Sequence, residues 1–108
     1  MSVEATLKAI AAPHRRRILS LVRDGELSAG EIAAHFDVTR PAVSQHLNVL
    51  KEAGLVSERR NGTRRLYRAR PEGLNEVKAF LEEFWDERLD VLKREAEREE
   101  RKKRGRDS

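Results

Sequence analysis

The 108 residues predict a mainly α fold, five helices with one small β-hairpin set between the fourth and the fifth. Three observations carry that prediction. Apolar residues recur at helical spacing through the first half of the chain and again from Leu74 to Leu92. Asn61-Gly62 stands between two short runs as a tight-turn signal. The length suits one domain, placed at residues 1–92, with a charged tail over 93–108.

The first helix rests on VEATLKAIAA, where Val3, Leu7 and Ile10 share one face. Pro13 disfavours helix in the residue before it and suits the first turn of a new one. A second helix is expected over roughly 14–24, with Ile18, Leu19, Leu21 and Val22 inward. Asp24-Gly25 stops it, since glycine readily takes the left-handed conformation that closes a helix. Ser28 and Glu31 have capping-box spacing at the head of a short third helix, 28–36, which turns Ile32, Ala33 and Phe36 inward. Thr39 is a good N-cap for the fourth helix, 40–53, with Pro41 in its first turn. Val43, Leu47 and Leu50 repeat there at i, i+4 and i+7, and Gly54 ends it.

The hairpin is LVSERRNGTRRLYRAR. Asn61 and Gly62 both tolerate the positive φ of a type I′ turn, which sets Arg60 opposite Thr63, Arg59 opposite Arg64 and Glu58 opposite Arg65. Val56 then faces Tyr67 on the packed side. Like charges directly opposite weaken a ladder, so the Arg59–Arg64 pair requires an anion from outside the fold. From Pro71 one long helix is expected over 72–103, with Leu74, Val77, Leu81, Phe84, Trp85, Leu89 and Leu92 as its apolar stripe and Phe80 and Val91 widening it. After Ala96 the run EREERKKRGRDS either continues as helix held by charge pairs or is disordered.

Charge is unevenly distributed around the net +4. Residues 13–70 hold 12 Lys/Arg against 6 Asp/Glu, residues 71–92 hold 2 against 7, and residues 93–108 hold 8 against 5. A basic centre followed by an acidic stretch suggests a body that binds a polyanion and a separate element with another task. The plainer alternative is that 39% charged residues solvate a small helical protein. Without cysteine the chain has no disulfide, thiolate ligand or thiol redox chemistry. No run approaches the ~20 apolar residues of a membrane span, and the N-terminus lacks the apolar core of a signal peptide. The expected location is cytoplasmic, with no membrane partner. No carboxylate pair, Ser/His/Asp set or glycine-rich phosphate loop stands out, so catalytic residues are expected to be none and the chain is not read as an enzyme.

The third and fourth helices with their short turn make a helix-turn-helix, and the hairpin behind them makes it winged. A helix that enters the major groove needs small or polar groups at its exposed N-terminal turns and an apolar face toward its partner helix. Arg40, Ser44, Gln45 and Asn48 meet the first demand, and Val43, Leu47 and Leu50 meet the second. Gln45 suits a bidentate pair with adenine and Arg40 with guanine, each good pair worth ~1–3 kcal/mol of discrimination. Arg59, Arg60, Arg64 and Arg65 on the wing suit phosphate or the adjacent minor groove, giving affinity and register more than sequence information. Each polar residue taken singly is an ordinary solvated one; their fixed order beside a capped helix pair is what makes the pattern informative.

The segments APHRRRILSLV, LSAGEIAAHFDVTRPAVSQHLNVLKEAGLV and RRNGTRRLYR resemble the signature segments of the ArsR-type (arsenic-repressor-like) winged helix-turn-helix family, over about residues 3–85. The resemblance implies a homodimeric repressor that binds a palindromic operator in double-stranded DNA, using Arg40, Pro41, Ser44 and Gln45 on the recognition helix. His46 lies beside them and is open to two readings, a phosphate contact or packing in the groove between the two paired helices. Such proteins dimerise through their first and last helices, which here points to Leu7, Phe80, Leu81, Phe84, Trp85 and Leu89. A core role is the plainer reading of that stripe, but a chain this small has little other core for a helix of ~30 residues and ~45 Å to cover.

Two departures from the family pattern stand out. The turn between the paired helices usually carries glycine, and this chain has Asp37, one of few residues that tolerate the left-handed conformation. Metal-sensing members carry cysteine pairs or His and acidic ligands on the last helix, whereas residues 72–104 contain no histidine and His14, His35 and His46 are scattered. No metal site and no cofactor are therefore expected, and the effector stays unknown: a small molecule, a partner protein, or none. A non-sequence-specific architectural nucleic-acid binder is the alternative function, distinguished by equal affinity for all duplexes. An adaptor that uses the fold as a protein-binding scaffold would tolerate loss of Arg59 and Arg64.

Overall fold

The computed structural model describes the backbone of residues 2–106 and their side chains other than those of 86–89 and 102–106. The chain divides into two compact units, Met1–Val77 and Lys78–Ser108. In order, the elements are α1 (Val3–Ala11), α2 (Pro13–Leu21), β1 (Leu27–Ser28), α3 (Ala29–Ala33), α4 (Arg40–Glu52), β2 (Val56–Asn61), β3 (Arg64–Ala69), a 3-10 turn (Pro71–Leu74) and α5 (Asn75–Arg106). The mainly helical, winged architecture is the expected one. The 3-10 turn adds a sixth helical segment, and β1 adds a third strand.

Ser2 starts α1 by accepting a hydrogen bond from the Ala5 amide at 3.1 Å. Ala12 is extended, as the residue before a proline tends to be, so Pro13 opens a new helix rather than prolonging the first. The last carbonyls of α1 are taken up by α2: Arg15 donates to Ala9 (2.7 Å) and Lys8 (3.0 Å), and Arg16 to Ile10 (2.7 Å) and Ala11 (3.0 Å). Those carbonyls have no partner within their own helix, so these two arginines act as its C-terminal cap. The buried residues of α1 are Thr6 and Ala9, while Leu7 is 44% exposed.

Helix α2 stops at Leu21 without a left-handed residue, and Gly25 is not in that conformation. The capping box of α3 forms as expected: Glu31 donates its amide to the Ser28 hydroxyl and accepts the Ser28 amide, both at 3.2 Å. Regular helix then ends at Ala33. His35 and Phe36 make three-residue backbone bonds that tighten the chain, which is why α3 is shorter than 28–36. No described residue other than glycine has positive φ, so Asp37 makes its turn in ordinary conformation, contrary to expectation. Thr39 caps α4 on the Ala42 amide at 3.3 Å. At its other end Gly54 takes φ 75°, with the Leu55 amide bonded to Leu50 O and the Gly54 amide to Lys51 O, a Schellman closure.

The sheet order is β1-β3-β2, all antiparallel. Its hairpin register corrects the expected one. Asn61 pairs with Arg64, Arg60 with Arg65, Arg59 with Leu66 and Glu58 with Tyr67. Gly62 and Thr63 are therefore the two loop residues, and Gly62 alone has positive φ, at 65°. That is the pattern of a turn with glycine in its first central position, not of an Asn-Gly type I′ turn. Each cross-strand partner moves by two residues. Because strand side chains alternate with period two, Val56 and Tyr67 still share the packed face, and both are buried.

The core of the first unit joins Ile18 and Val22 of α2, Ile32 of α3, Val43, Leu47 and Leu50 of α4, and Leu55, Val56 and Tyr67 around the hairpin. Each such aliphatic burial contributes roughly 1.5–3 kcal/mol. The 3-10 turn seals one end, where a Cβ on Gly73 would lie 2.2 Å from the Gly54 carbonyl. In the second unit Phe80, Leu81, Phe84 and Trp85 are exposed, and Phe84 meets Trp85 edge-on at 5.8 Å. Leu89 lies outside the described side chains. Among the described residues no helix is long and apolar enough to cross a membrane.

Candidate nucleic-acid interface

Burial of Val43, Leu47 and Leu50 fixes which side of α4 faces outward. Arg40, Pro41, Ser44, Gln45 and Asn48 are all exposed on it. Arg40 and Ser44 border a cleft of about 380 Å³ that runs to the wing, where Thr63, Arg64 and Arg65 form its other wall. The Arg40 guanidinium lies over Gly30, where an added Cβ would stand 3.9 Å from Cζ. The helix pair and the wing thus present hydroxyls and guanidiniums into one open space, a chemistry suited to phosphate.

The wing arginines are not left waiting for an outside anion. Arg59 faces Leu66 rather than Arg64, and its Nε and Nη2 donate to the two carboxylate oxygens of Glu26 at 2.9 and 3.0 Å. Arg64 donates to Glu31, the same carboxylate that caps α3. Arg65 lies 3.5 Å from Glu58, which also binds Lys51 of α4 at 3.1 Å. Within the described residues Arg60 makes no ion pair, although it faces Arg65 across the ladder. The expectation of an unpaired Arg59–Arg64 couple fails because both partners are 33 residues upstream, where no local pattern shows them.

These pairings also set the acidities. The Arg59 hydrogen bond holds the Glu26 carboxyl below its usual range, and Glu26 in turn raises the Arg59 guanidinium. Glu31 is lowered chiefly by the Ser28 amide, then by the Ser28 hydroxyl, with Arg64 adding to both.

His46 faces α2. Its ring stacks on His14 with centroids 5.8 Å apart and planes 12° from parallel, and Nδ1 lies 3.3 Å from Arg15 Nη1. Arginine has only donors to give, so Nδ1 accepts and the proton of the neutral ring sits on Nε2. Burial first, then Arg15 and His14, push the His46 imidazole below its usual value. The other side of His14 meets Phe36 at 5.4 Å, and Arg17 lies 4.9 Å over the Phe36 ring. His46 packs between helices, but against α2 rather than in the groove of the α3–α4 pair. Sequence spacing offered no hint of this cluster, since its members come from α2, α4 and the turn after α3. Among the described residues no group of three or more His, Cys, Asp or Glu is placed to hold a metal ion.

A capped helix pair whose second member exposes a polar N-terminal face, flanked by an arginine-bearing hairpin, defines a winged helix-turn-helix DNA-binding protein. The profile described as "Bacterial regulatory protein, arsR family" matches residues 12–58, and the chain belongs to that family. It is 44% identical over 88 residues to the HTH-type transcriptional regulator Rv2034 of Mycobacterium tuberculosis, covering 82% of each chain. It is 49% identical over 55 residues to the transcriptional repressor SdpR of Bacillus subtilis, covering 51% of this chain and 61% of that one. Its fold is similar to the solution structure of the homodimeric winged helix-turn-helix domain Mb0332 from Mycobacterium bovis, with TM-score 0.63, 36% identity and 81% of each chain covered. The chain is a DNA-binding transcriptional regulator, not an enzyme.

Proposed function

We propose that the chain is a cytoplasmic homodimeric repressor that reads a palindromic operator in double-stranded DNA and needs no cofactor. The observation that carries the reading is the outward face of α4, where Arg40, Ser44, Gln45 and Asn48 stand exposed above a buried Val43, Leu47 and Leu50. Gln45 and Arg40 read base edges, and Ser44 and Asn48 bond to bases or phosphate. Pro41 pre-sets the first helical turn that enters the groove. Arg60 and Arg65 supply phosphate contacts from the wing, joined by whichever of Arg59 and Arg64 the duplex draws from its carboxylate. His46 acts from behind, fixing α4 on α2.

The dimer rests on Leu7 of α1 and on Phe80, Leu81, Phe84, Trp85 and Leu89 of α5. Leu7 is exposed on α1, and Phe80, Leu81, Phe84 and Trp85 are exposed apolar side chains close together in sequence on α5, which a helix rarely leaves in water without a partner. The domain so used is 1–92, and 93–108 is its charged tail. Selection of bound duplexes from random DNA with the purified protein tests the reading. A recovered palindrome with half-sites about one helical turn apart, ~34 Å, supports it. Recovery of no preferred sequence favours the architectural alternative instead.

A further inference from the structure

We propose that Glu26 and Glu31 are specificity-determining residues, which hold Arg59 and Arg64 in internal ion pairs and so lower the affinity of the wing for DNA of arbitrary sequence. The inference rests on the wing facing DNA, as under the proposed function. Non-specific binding is almost wholly a matter of how many phosphates mobile cations neutralise, whereas specific binding adds base contacts fixed in register. A guanidinium already forked onto a carboxylate must break that pair before it meets phosphate. Glu26 takes Nε and Nη2 of Arg59 at 2.9 and 3.0 Å, the same two-donor fork that a phosphate would use.

Glu31 is held from two directions. Its Oε1 accepts both the Ser28 amide and Arg64 Nη2, so the capping box anchors the carboxylate to the head of α3. It cannot follow Arg64 toward DNA without giving up the Ser28 amide, its half of the capping box. Both pairs join the wing to the chain just before or within the first helix of the pair, and both span 33 residues. Non-specific complexes have no register and gain from every mobile cation. The specific complex is set in place by α4 and gains less from freeing two side chains at the wing.

The test compares wild type with Glu26→Gln and Glu31→Gln. Glutamine keeps the size of the side chain, and at the third helical position it still completes a capping box. Dissociation constants for random duplex and for the selected duplex are measured over a range of salt, with thermal unfolding alongside. The expected result is tighter binding to random duplex, a salt slope steeper by ~0.9 for each freed guanidinium, and a lower ratio of specific to random affinity. Adding Arg59→Gln to Glu26→Gln removes the gain. Unchanged random-duplex affinity and slope in both variants overturns the proposal. So does a loss of affinity for both duplexes accompanied by a lower Tm, which would make the carboxylates simple staples for the wing. If wild type binds all duplexes equally, the proposed function fails, while the slope comparison on random duplex still decides the role of the carboxylates.

Discussion

Gln45 and Arg60 sit a few residues from equally polar neighbours, yet the proposed function gives them different work. Gln45 is on a groove-sized helix with its amide outward. Replacing it with alanine should lower affinity for the selected duplex by a factor corresponding to ~1–3 kcal/mol and leave random duplex nearly unaffected. Arg60→Ala should weaken both about equally and reduce the salt slope by about one. Equal losses from Gln45→Ala on both duplexes would show that the recognition face is elsewhere. Arg59→Ala should cost less on DNA than Arg60→Ala, since Glu26 already holds Arg59. His46 makes a separate prediction. Its folded value lies below the ordinary ~6.5, so between the two the unfolded chain binds more protons than the folded one. Stability is therefore full above about pH 6.5 and falls as pH drops through that window. The lowered carboxyls of Glu26, Glu31 and Glu72 begin to act further down, below about pH 4.3. Thermal melts should show Tm dropping as pH falls below about 6.5, and His46→Gln should flatten that drop; a flat wild-type profile would contradict the assignment.

At the scale of elements, the helices were legible because each is written in local chemistry. The capping boxes and caps at Ser28 and Thr39, the proline after Ala12 and the stripe Val43, Leu47, Leu50 all act over four to seven residues. The outward face of α4 follows from the same stripe, so the exposed positions Arg40, Pro41, Ser44, Gln45 and Asn48 could be read with it. The hairpin shows where that legibility ends. Asn-Gly permits two registers that differ by one residue in loop position, and both keep Val56 and Tyr67 inward, so hydrophobic alternation cannot choose. Pairing of β3 with β1 on its other edge, and of Arg59 with Glu26, selects the observed one. A test follows from the two residues of the turn. Gly62→Ala should cost about 1–2 kcal/mol because it forces a Cβ into left-handed backbone, while Asn61→Thr, at a paired strand position, should hardly change stability. A type I′ turn would make Asn61→Thr the damaging one as well, and denaturant unfolding tells them apart. β1 was missed for a related reason: two residues carry no alternation to detect, and their strand exists only because β3 is there to pair with.

For the whole molecule, the expected species in solution is a dimer at micromolar concentration. Phe84→Ala combined with Trp85→Ala should shift sedimentation to monomer and abolish tight operator binding, while leaving the first unit folded by circular dichroism. A wild-type monomer at that concentration would remove the proposed assembly. Zinc at near-equimolar levels should not release the protein from DNA, given a chain without cysteine and a last helix without histidine over 72–104. Metal-induced release reversed by chelator would contradict this. Ion pairs that reach across 33 residues, and a histidine stack joining α2 to α4, belong to this scale and leave no trace in a local pattern. Arg15 holds the Ala9 and Lys8 carbonyls of α1 with Nε and Nη2 and touches His46, next to Gln45, with Nη1. If α1 lies in the dimer surface, one side chain then bridges the place where subunits meet and the helix that reads bases. Linkage makes such a bridge work in both directions: by whatever factor pairing of subunits sharpens the grip on an operator, the operator must tighten the pairing by that same factor.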